Sequence, residues 1–309
     1  MLLTGGKVPY TVIRKQRLKR FPLCAADAVS FLAPAKLNLS LQVFGKRPDG
    51  YHHIRSVMVP VSLYDEVTVE EAPEGISVEC DDPSVPTGGG NTCVRAATLF
   101  MEWAGAPAGV RIRLRKAIPA EAGLGGGSSD AAATLKGLSA LTGKRPPRDV
   151  LLAMAARVGA DVPFFTLGSA ALVEGFGERL TAIPWEVPFH AVIVRPAFGL
   201  PTREGYGRLR RLPGDPPPPA EIPAYRTLGD VAEALGNDFE EAWREDRPEI
   251  GEIKGELLAA GALAAGLSGS GSAVFGLFAS AEAAREARGK LPPGGGGGAG
   301  RRVFVARSV

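Results

Sequence analysis

Hydrophobic and polar positions alternate along AVSFLAPAKLNLSLQVFG. Leu37, Leu39, Leu41 and Val43 face one way, and Lys36, Asn38, Ser40 and Gln42 the other. That period of two predicts a strand with one face on a core and the other in water. DEVTVEEA and GISVEC alternate as well. GVRIRLRKAI does so strictly, with Val110, Ile112 and Leu114 inward and Arg111, Arg113 and Arg115 outward. The period changes at NTCVRAATLFMEWAG, which predicts a helix with Val94, Ala97, Leu99 and Met101 on its apolar face and Gly105 as its stop. Ala131, Leu135, Leu138 and Leu141 form a second helical stripe ending near Gly143. PRDVLLAMAARVGA reads as another helix, and SAALVEGFGERLTAI as a strand pair around glycine-containing turns.

Near Pro188 the pattern resets. FHAVIVRPA predicts a buried strand, and a proline-rich connection follows. Helices are predicted around DVAEALGNDFEEAWRE and EIKGELLAAGA, then a strand at AVFGLF, a helix at SAEAAREARGKL and a last strand at RVFVARSV. Alternating strands and helices predict a layered α+β structure for this half. The expected organisation is a basic extension over 1–28, an N-terminal domain over 29–187 and a C-terminal domain over 188–309.

Composition narrows the function classes. The 309 residues carry 36 Lys+Arg against 33 Asp+Glu, a balance that by itself argues for neither nucleic acid nor a membrane surface. No apolar run is long enough to span a bilayer. Cys24, Cys80 and Cys93 fit no zinc or redox spacing, and their odd number argues against a disulfide framework, so reduced thiols and a cytoplasmic location are expected. The basic stretch VIRKQRLKR lacks the apolar segment of a secretory signal and reads as a loose extension, with a targeting or nucleic-acid-contacting tail as the alternative. PPPP at 216–219 and GGGGG at 294–298 read as flexible connections.

The chemistry concentrates in five short stretches. IPAEAGLGGGSSDAAATL, residues 118–135, joins a strand to a helix through glycines that leave backbone N–H groups open at a helix N-terminus. Such a terminus attracts phosphate, and Ser128 and Ser129 add hydroxyls. The order of residues excludes a P-loop and a dinucleotide fingerprint, while a glycine-rich connection without a ligand remains open. In APAKLNL, Lys36 and Asn38 share a polar strand face, where a lysine is ordinarily a solvated edge charge. RPDGYHHIRS offers Tyr51, His52 and His53 after a turn; an aromatic surface for a ring fits, whereas adjacent histidines cannot share a face and chelate together. GADVPFF places Asp161 among small and apolar residues, either as a helix cap or as a base for a hydroxyl. LSGSGSAVF forms a second glycine/serine loop containing Gly269 and Ser270, either phosphate-facing or a bare tight turn.

Taken in order, PAKLNL, RPDGYHHIRSV, NTCVRAA, GLGGGSSDAA, GADVPFF and LSGSGSAVF resemble the GHMP kinase superfamily. Within it they are similar to the 4-diphosphocytidyl-2-C-methyl-D-erythritol kinases of non-mevalonate isoprenoid synthesis. The likeness runs from about residue 32 to 280. It implies an α+β fold of two lobes, the first ribosomal-protein-like and the second ferredoxin-like. It also implies ATP as co-substrate with Mg²⁺, a small-molecule acceptor, and a monomer or weak homodimer working without nucleic acid or membrane.

By the same resemblance, Lys36 and Asp161 are a catalytic pair. Asp161 takes or orients the proton of the substrate's 2-hydroxyl, while Lys36 keeps it ionised and stabilises the moving phosphoryl group. Pro119, Ala120, Glu121, Ala122, Gly123, Leu124, Gly125, Gly126, Gly127, Ser128 and Ser129 wrap the ATP phosphates, with Asn91 on the adenine side. Asn38, Gly269 and Ser270 meet polar parts of the substrate, and Tyr51, His52 and Tyr206 its cytosine end. Thr202 comes near Asp161. Glu121 departs from the pattern, since an acid in a phosphate loop repels its ligand unless it faces solvent or an ion. The resemblance assigns no metal ligands. A homoserine- or mevalonate-type kinase is the alternative, against which DGYH and Tyr206 argue. A non-enzymatic nucleic-acid-binding protein is a remoter one; it leaves Lys36, Asp161 and both glycine loops without work.

Overall fold

The computed structural model describes residues 12–16, 28–105, 109–214, 216–218, 220–292 and 300–309. Most of the expected N-terminal extension, Cys24 and the glycine run at 294–298 lie outside the described residues. In chain order the first elements are β1 (Val12–Gln16), β2 (Ala28–Lys46), β3 (His52–Ala72), β4 (Ile76–Cys80), α1 (Thr92–Ala104) and β5 (Gly109–Arg115). Then come α2 (Gly126–Thr142), α3 (Arg148–Val158), α4 (Val162–Leu167), β6 (Ala171–Gly175), β7 (Arg179–Ala182) and β8 (His190–Arg195). The remainder is α5 (Thr202–Arg208), α6 (Leu228–Glu233), β9 (Gly236–Asn237), α7 (Asp238–Trp243), α8 (Glu249–Ala259), β10 (Ala264–Leu267), β11 (Val274–Phe278), α9 (Ala281–Lys290) and β12 (Arg302–Arg307). Among the described residues no helix is long and apolar enough to cross a membrane.

The chain divides into two units, and the long strands β2 and β3 contribute residues to both. The first unit comprises the described part of 1–34 together with 64–118 and 126–169. Here β5 pairs antiparallel with Glu66–Ala72 of β3 and parallel with β4. The predicted alternation in β5 holds: Val110, Ile112 and Leu114 are buried, while Arg113 and Arg115 are exposed. Arg111 and Arg113 reach Glu70 at 3.1 and 2.8 Å, a cross-strand ladder on the wet face. Helix α2 lies close against the sheet because Gly137 carries no side chain; a Cβ there would stand 2.6 Å from Val69 Cγ2.

The apolar face of α1 differs from the expected one. Cys93, Ala96, Ala97, Phe100 and Ala104 are buried, whereas Val94, Leu99 and Met101 are only half-buried. Helix α1 packs against α2, and its buried stripe is built from small residues around Phe100.

The second unit comprises 35–63, 119–125 and 170–309. Its four-stranded antiparallel sheet runs β10-β11-β8-β12, with Val194 opposite Val274 on one side and Val303 on the other. Phe239, Trp243, Ile250, Leu257, Val192 and Phe278 form the centre of its core. A second group of strands holds the Ala35–Lys46 part of β2, joined by β9 in parallel at Ser40–Leu41. The Ile54–Met58 part of β3 pairs with β6, which pairs with β7. The strand pair predicted at SAALVEGFGERLTAI is this β6–β7 hairpin.

One correction bears on the site. Lys36 and Asn38 do not lie on a wet face: each is 2% exposed, and β2 is buried continuously from Ala33 to Leu39. A period of two shows which residues share a face, not what lies over it.

Candidate active site

In the second unit the two glycine loops pack backbone to backbone. Ala273 donates its N–H to the Ala122 carbonyl at 3.0 Å, and Lys36 its N–H to the Leu124 carbonyl at 3.0 Å. The Ser268 hydroxyl donates to the Gly123 carbonyl at 3.0 Å and accepts from the Asn38 N–H at 3.4 Å. Contact this close requires glycine. Gly123 has φ +74°, and a Cβ there would stand 2.9 Å from the Ser268 carbonyl carbon and closer still to its oxygen. A Cβ on Gly269 would stand 3.0 Å from Gly123 Cα and 3.2 Å from Lys36 Nζ.

The buried Lys36 ammonium donates to Asn38 Oδ1. Asn38 in turn donates through Nδ2 to Ser56 Oγ at 2.7 Å, and that hydroxyl donates to the Ser40 carbonyl at 2.5 Å. This chain leaves the Asn38 oxygen toward the cation. Two buttresses were missed in the sequence. Asn237 Nδ2 holds the Leu267 and Gly269 carbonyls, both at 2.8 Å, and Trp243 Nε1 holds the Ser270 carbonyl at 3.0 Å. A lone Asn and a core Trp carry no motif, so nothing in the one-dimensional pattern marks them. Glu121 is exposed and takes φ +52°, a left-handed conformation uncommon outside glycine.

The same unit gathers the predicted aromatic residues. His52 stacks on Tyr206 with ring centroids 4.9 Å apart and planes at 14°. Phe239 supports Tyr206 edge-on at 4.9 Å. Burial, and after it the nearby Lys46, lowers the His52 imidazole below its ordinary pKa. Tyr51 stands 59% exposed, 5.4 Å from the Phe176 ring at the β6–β7 turn. Thr202, the first residue of α5, shares a 2.8 Å hydrogen bond with the Ser270 hydroxyl.

In the first unit, α2 starts at Gly126 and its first turn carries Gly127, Ser128 and Ser129. Thr92 Oγ1 donates to the Gly127 carbonyl at 2.7 Å. Ser129 is fully buried and its hydroxyl has no hydrogen-bond partner. Among the described residues no three carboxylate, imidazole or thiol groups converge. An orphaned hydroxyl beside a helix N-terminus fits an ion that arrives on a triphosphate and keeps most of its waters, not one held in a protein cage. Asp161 immediately precedes α4 and makes no capping hydrogen bond to it. Asn91 does cap: Oδ1 accepts from the Cys93 N–H at 2.7 Å while Nδ2 donates to the Pro86 carbonyl at 2.6 Å. Its amide is thus engaged at both ends by its own helix start.

A buried ionic cluster lies behind that first turn, and the sequence reading missed it. Lys116 Nζ sits 2.5 Å from both Asp65 Oδ2 and Asp130 Oδ2. Asp65 Oδ1 accepts the N–H groups of Ala117 and Ile118 at 2.6 and 2.9 Å. Burial raises the Asp130 carboxyl, and Lys116 pulls it back only in part. Burial would lower Lys116, but the two carboxylates outweigh it and raise its pKa. The only sequence signal was an acid following the serine pair.

Residues 91–169 match the family model for the GHMP kinase N-terminal domain, and residues 222–294 that for the GHMP kinase C-terminal domain. The 4-diphosphocytidyl-2-C-methyl-D-erythritol kinase of Acetivibrio thermocellus is 42% identical over 256 residues, covering 82% of this chain and 90% of its own. The chain belongs to the 4-diphosphocytidyl-2-C-methyl-D-erythritol kinase family. The family member from a Geobacter species is 44% identical over 267 residues, covering 85% of this chain and 94% of its own. A crystal structure of a 4-(cytidine 5'-diphospho)-2C-methyl-D-erythritol kinase superposes with a TM-score of 0.74 at 38% identity, over 90% of this chain and 98% of that one. The α+β fold is therefore that of the GHMP kinases, and as a kinase of this family the chain uses ATP as co-substrate.

Proposed function

We propose that the chain transfers the γ-phosphoryl group of ATP to the 2-hydroxyl of 4-diphosphocytidyl-2-C-methyl-D-erythritol, giving the 2-phosphate and ADP for isoprenoid precursor synthesis in the cytoplasm. The observation that carries this reading is the stacked His52–Tyr206 pair with its Phe239 support. A flat, half-buried aromatic surface suits a cytosine ring and has no use for a small aliphatic alcohol. The relatives at 42% and 44% identity bear the name of that activity.

In this proposal Asp161 accepts the hydroxyl proton as the oxygen attacks the γ-phosphorus, and Thr202, hydrogen-bonded to Ser270, borders the acceptor. Lys36 neutralises charge on the transferring group, and Asn38 holds the ammonium in place. The N–H groups at 126–129 bind phosphate oxygens, joined by residues 119–125, while Gly269 and Ser270 border the acceptor. Tyr51 closes over the cytosine beside His52 and Tyr206. Mg²⁺ arriving with ATP would neutralise phosphate charge, and Ser129, with its unpartnered hydroxyl, is the side chain that would help to hold it. Asn91 serves the adenine side through the helix start that it caps. The proposed domains are 29–187, with the ATP loop and catalytic pair, and 188–309.

The test is a coupled ADP-release assay with ATP, Mg²⁺ and 4-diphosphocytidyl-2-C-methyl-D-erythritol, run beside homoserine and mevalonate. Turnover with the cytidyl substrate alone is expected. Turnover only with homoserine or mevalonate overturns the proposal.

A further inference from the structure

We infer that Lys116, Asp65 and Asp130 form a clasp that positions the first turn of α2 for the ATP phosphates, so that all three are positioning residues for nucleotide binding. The inference rests on the proposal that this turn binds the triphosphate. The three side chains are 0–6% exposed and come from three separate segments of the first unit. Asp65 lies on β3, Lys116 directly follows β5, and Asp130 lies within the first five residues of α2.

Each carboxylate has a separate task. Asp65 Oδ1 binds the two N–H groups of Ala117 and Ile118, which fixes the chain entering the glycine loop. Its Oδ2 and Asp130 Oδ2 share the Lys116 ammonium, which ties that segment to the helix leaving the loop. Ile118 and Gly126 are thereby held against each other: a Cβ on Gly126 would stand 3.0 Å from Ile118 Cγ2 and 3.3 Å from Asp65 Oδ2. The start and end of the loop are pinned to the same three side chains.

A purely stabilising reading fits these groups poorly. Buried ion pairs contribute little net stability, since desolvation offsets their attraction. Asp130 Oδ1, moreover, is buried without a hydrogen-bond partner. An arrangement with an orphaned buried oxygen is retained more readily for geometry than for stability. The N–H groups that meet a phosphate act only when their directions are fixed, and the clasp sets the orientation of the turn that carries them.

Asp130→Asn keeps the shape and removes one charge from Lys116, and Asp65→Asn does the same from the other side. For each variant, KM for ATP, KM for the cytidyl substrate, kcat, the Kd of ADP by calorimetry and Tm are compared with wild type. Both variants are expected to raise ATP KM and ADP Kd by about tenfold, a shift short of the ~10²-fold that a 1 Å misplacement can cost, with cytidyl-substrate KM within about twofold. Unchanged ADP Kd in a variant that folds, or an equal rise in both KM values, overturns the clasp. Failure of the wild type to use the cytidyl substrate overturns the function proposed above, while the ADP measurement still decides the clasp.

Discussion

Gly123→Ala separates a glycine needed by the fold from one needed by a ligand. The new Cβ would stand 2.9 Å from the Ser268 carbonyl carbon and 3.0 Å from the Gly271 carbonyl oxygen, with the Ser268 oxygen nearer still. All of these are backbone atoms, which cannot swing aside as a flexible side chain would. The φ of +74° adds its own penalty. A left-handed L-residue costs about 1–2 kcal/mol, and overpacking a tight site about 1–3 kcal/mol more. The sum, about 2–5 kcal/mol, is a large fraction of a typical domain's stability.

Gly127→Ala is the control. Its Cβ would stand 3.5 Å from Thr92 Oγ1, an ordinary contact, inside a helix. Removing a helical glycine stabilises by about 0.5–1 kcal/mol. Urea unfolding followed by tryptophan fluorescence measures both variants, and Trp243, bonded to the Ser270 carbonyl, reports on the same turn. The expected result is a large loss for Gly123→Ala and none for Gly127→Ala, which instead weakens ATP binding. Equal stability of the two variants would refute the steric reasoning.

Three further outcomes follow from the site. Asp161→Asn should lower kcat by about 10²–10⁴-fold with little change in ATP KM; a near-normal rate removes it from catalysis. Tyr206→Ala should raise the cytidyl-substrate KM more than it lowers kcat, since it removes the partner stacked on His52. Loss of kcat alone would argue against a cytosine contact. Burial, followed by Lys46, depresses the folded His52 pKa. The resulting stability is complete above the ordinary histidine value of about 6.5 and is lost as pH falls through the lower folded value. Tm should therefore drop more steeply on acidification for wild type than for His52→Gln, and parallel profiles would refute this.

Legibility in the sequence followed the strength of each pattern. In β5 arginine alternates with apolar residues, so the strand and its two faces were readable, though not the Glu70 partner across it. The segment TREGYGR shows no helical stripe and contains two glycines, and AAGL has no alternation; α5 rests on Phe239 and Trp243 through Gly205, and β10 pairs with β11. Lys36 was read in the right place but on the wrong kind of surface. The aromatic residues around His52 were individually visible, yet their stacking depends on a return of the chain from Tyr206 that no local pattern encodes. The Lys116 clasp was illegible for the same reason. Its members are ordinary charged residues on three separate segments, and only the fold brings them together.

The tight contact between the glycine loops has a consequence for inhibitor escape. A compound that packs against the backbone of Gly123 and Gly269 touches positions where the smallest added side chain meets main-chain atoms, or the Lys36 ammonium. Resistance by substitution at those positions would disable the protein before it dislodged the drug. Contacts made instead to Tyr51, which is largely open to solvent, offer no such protection.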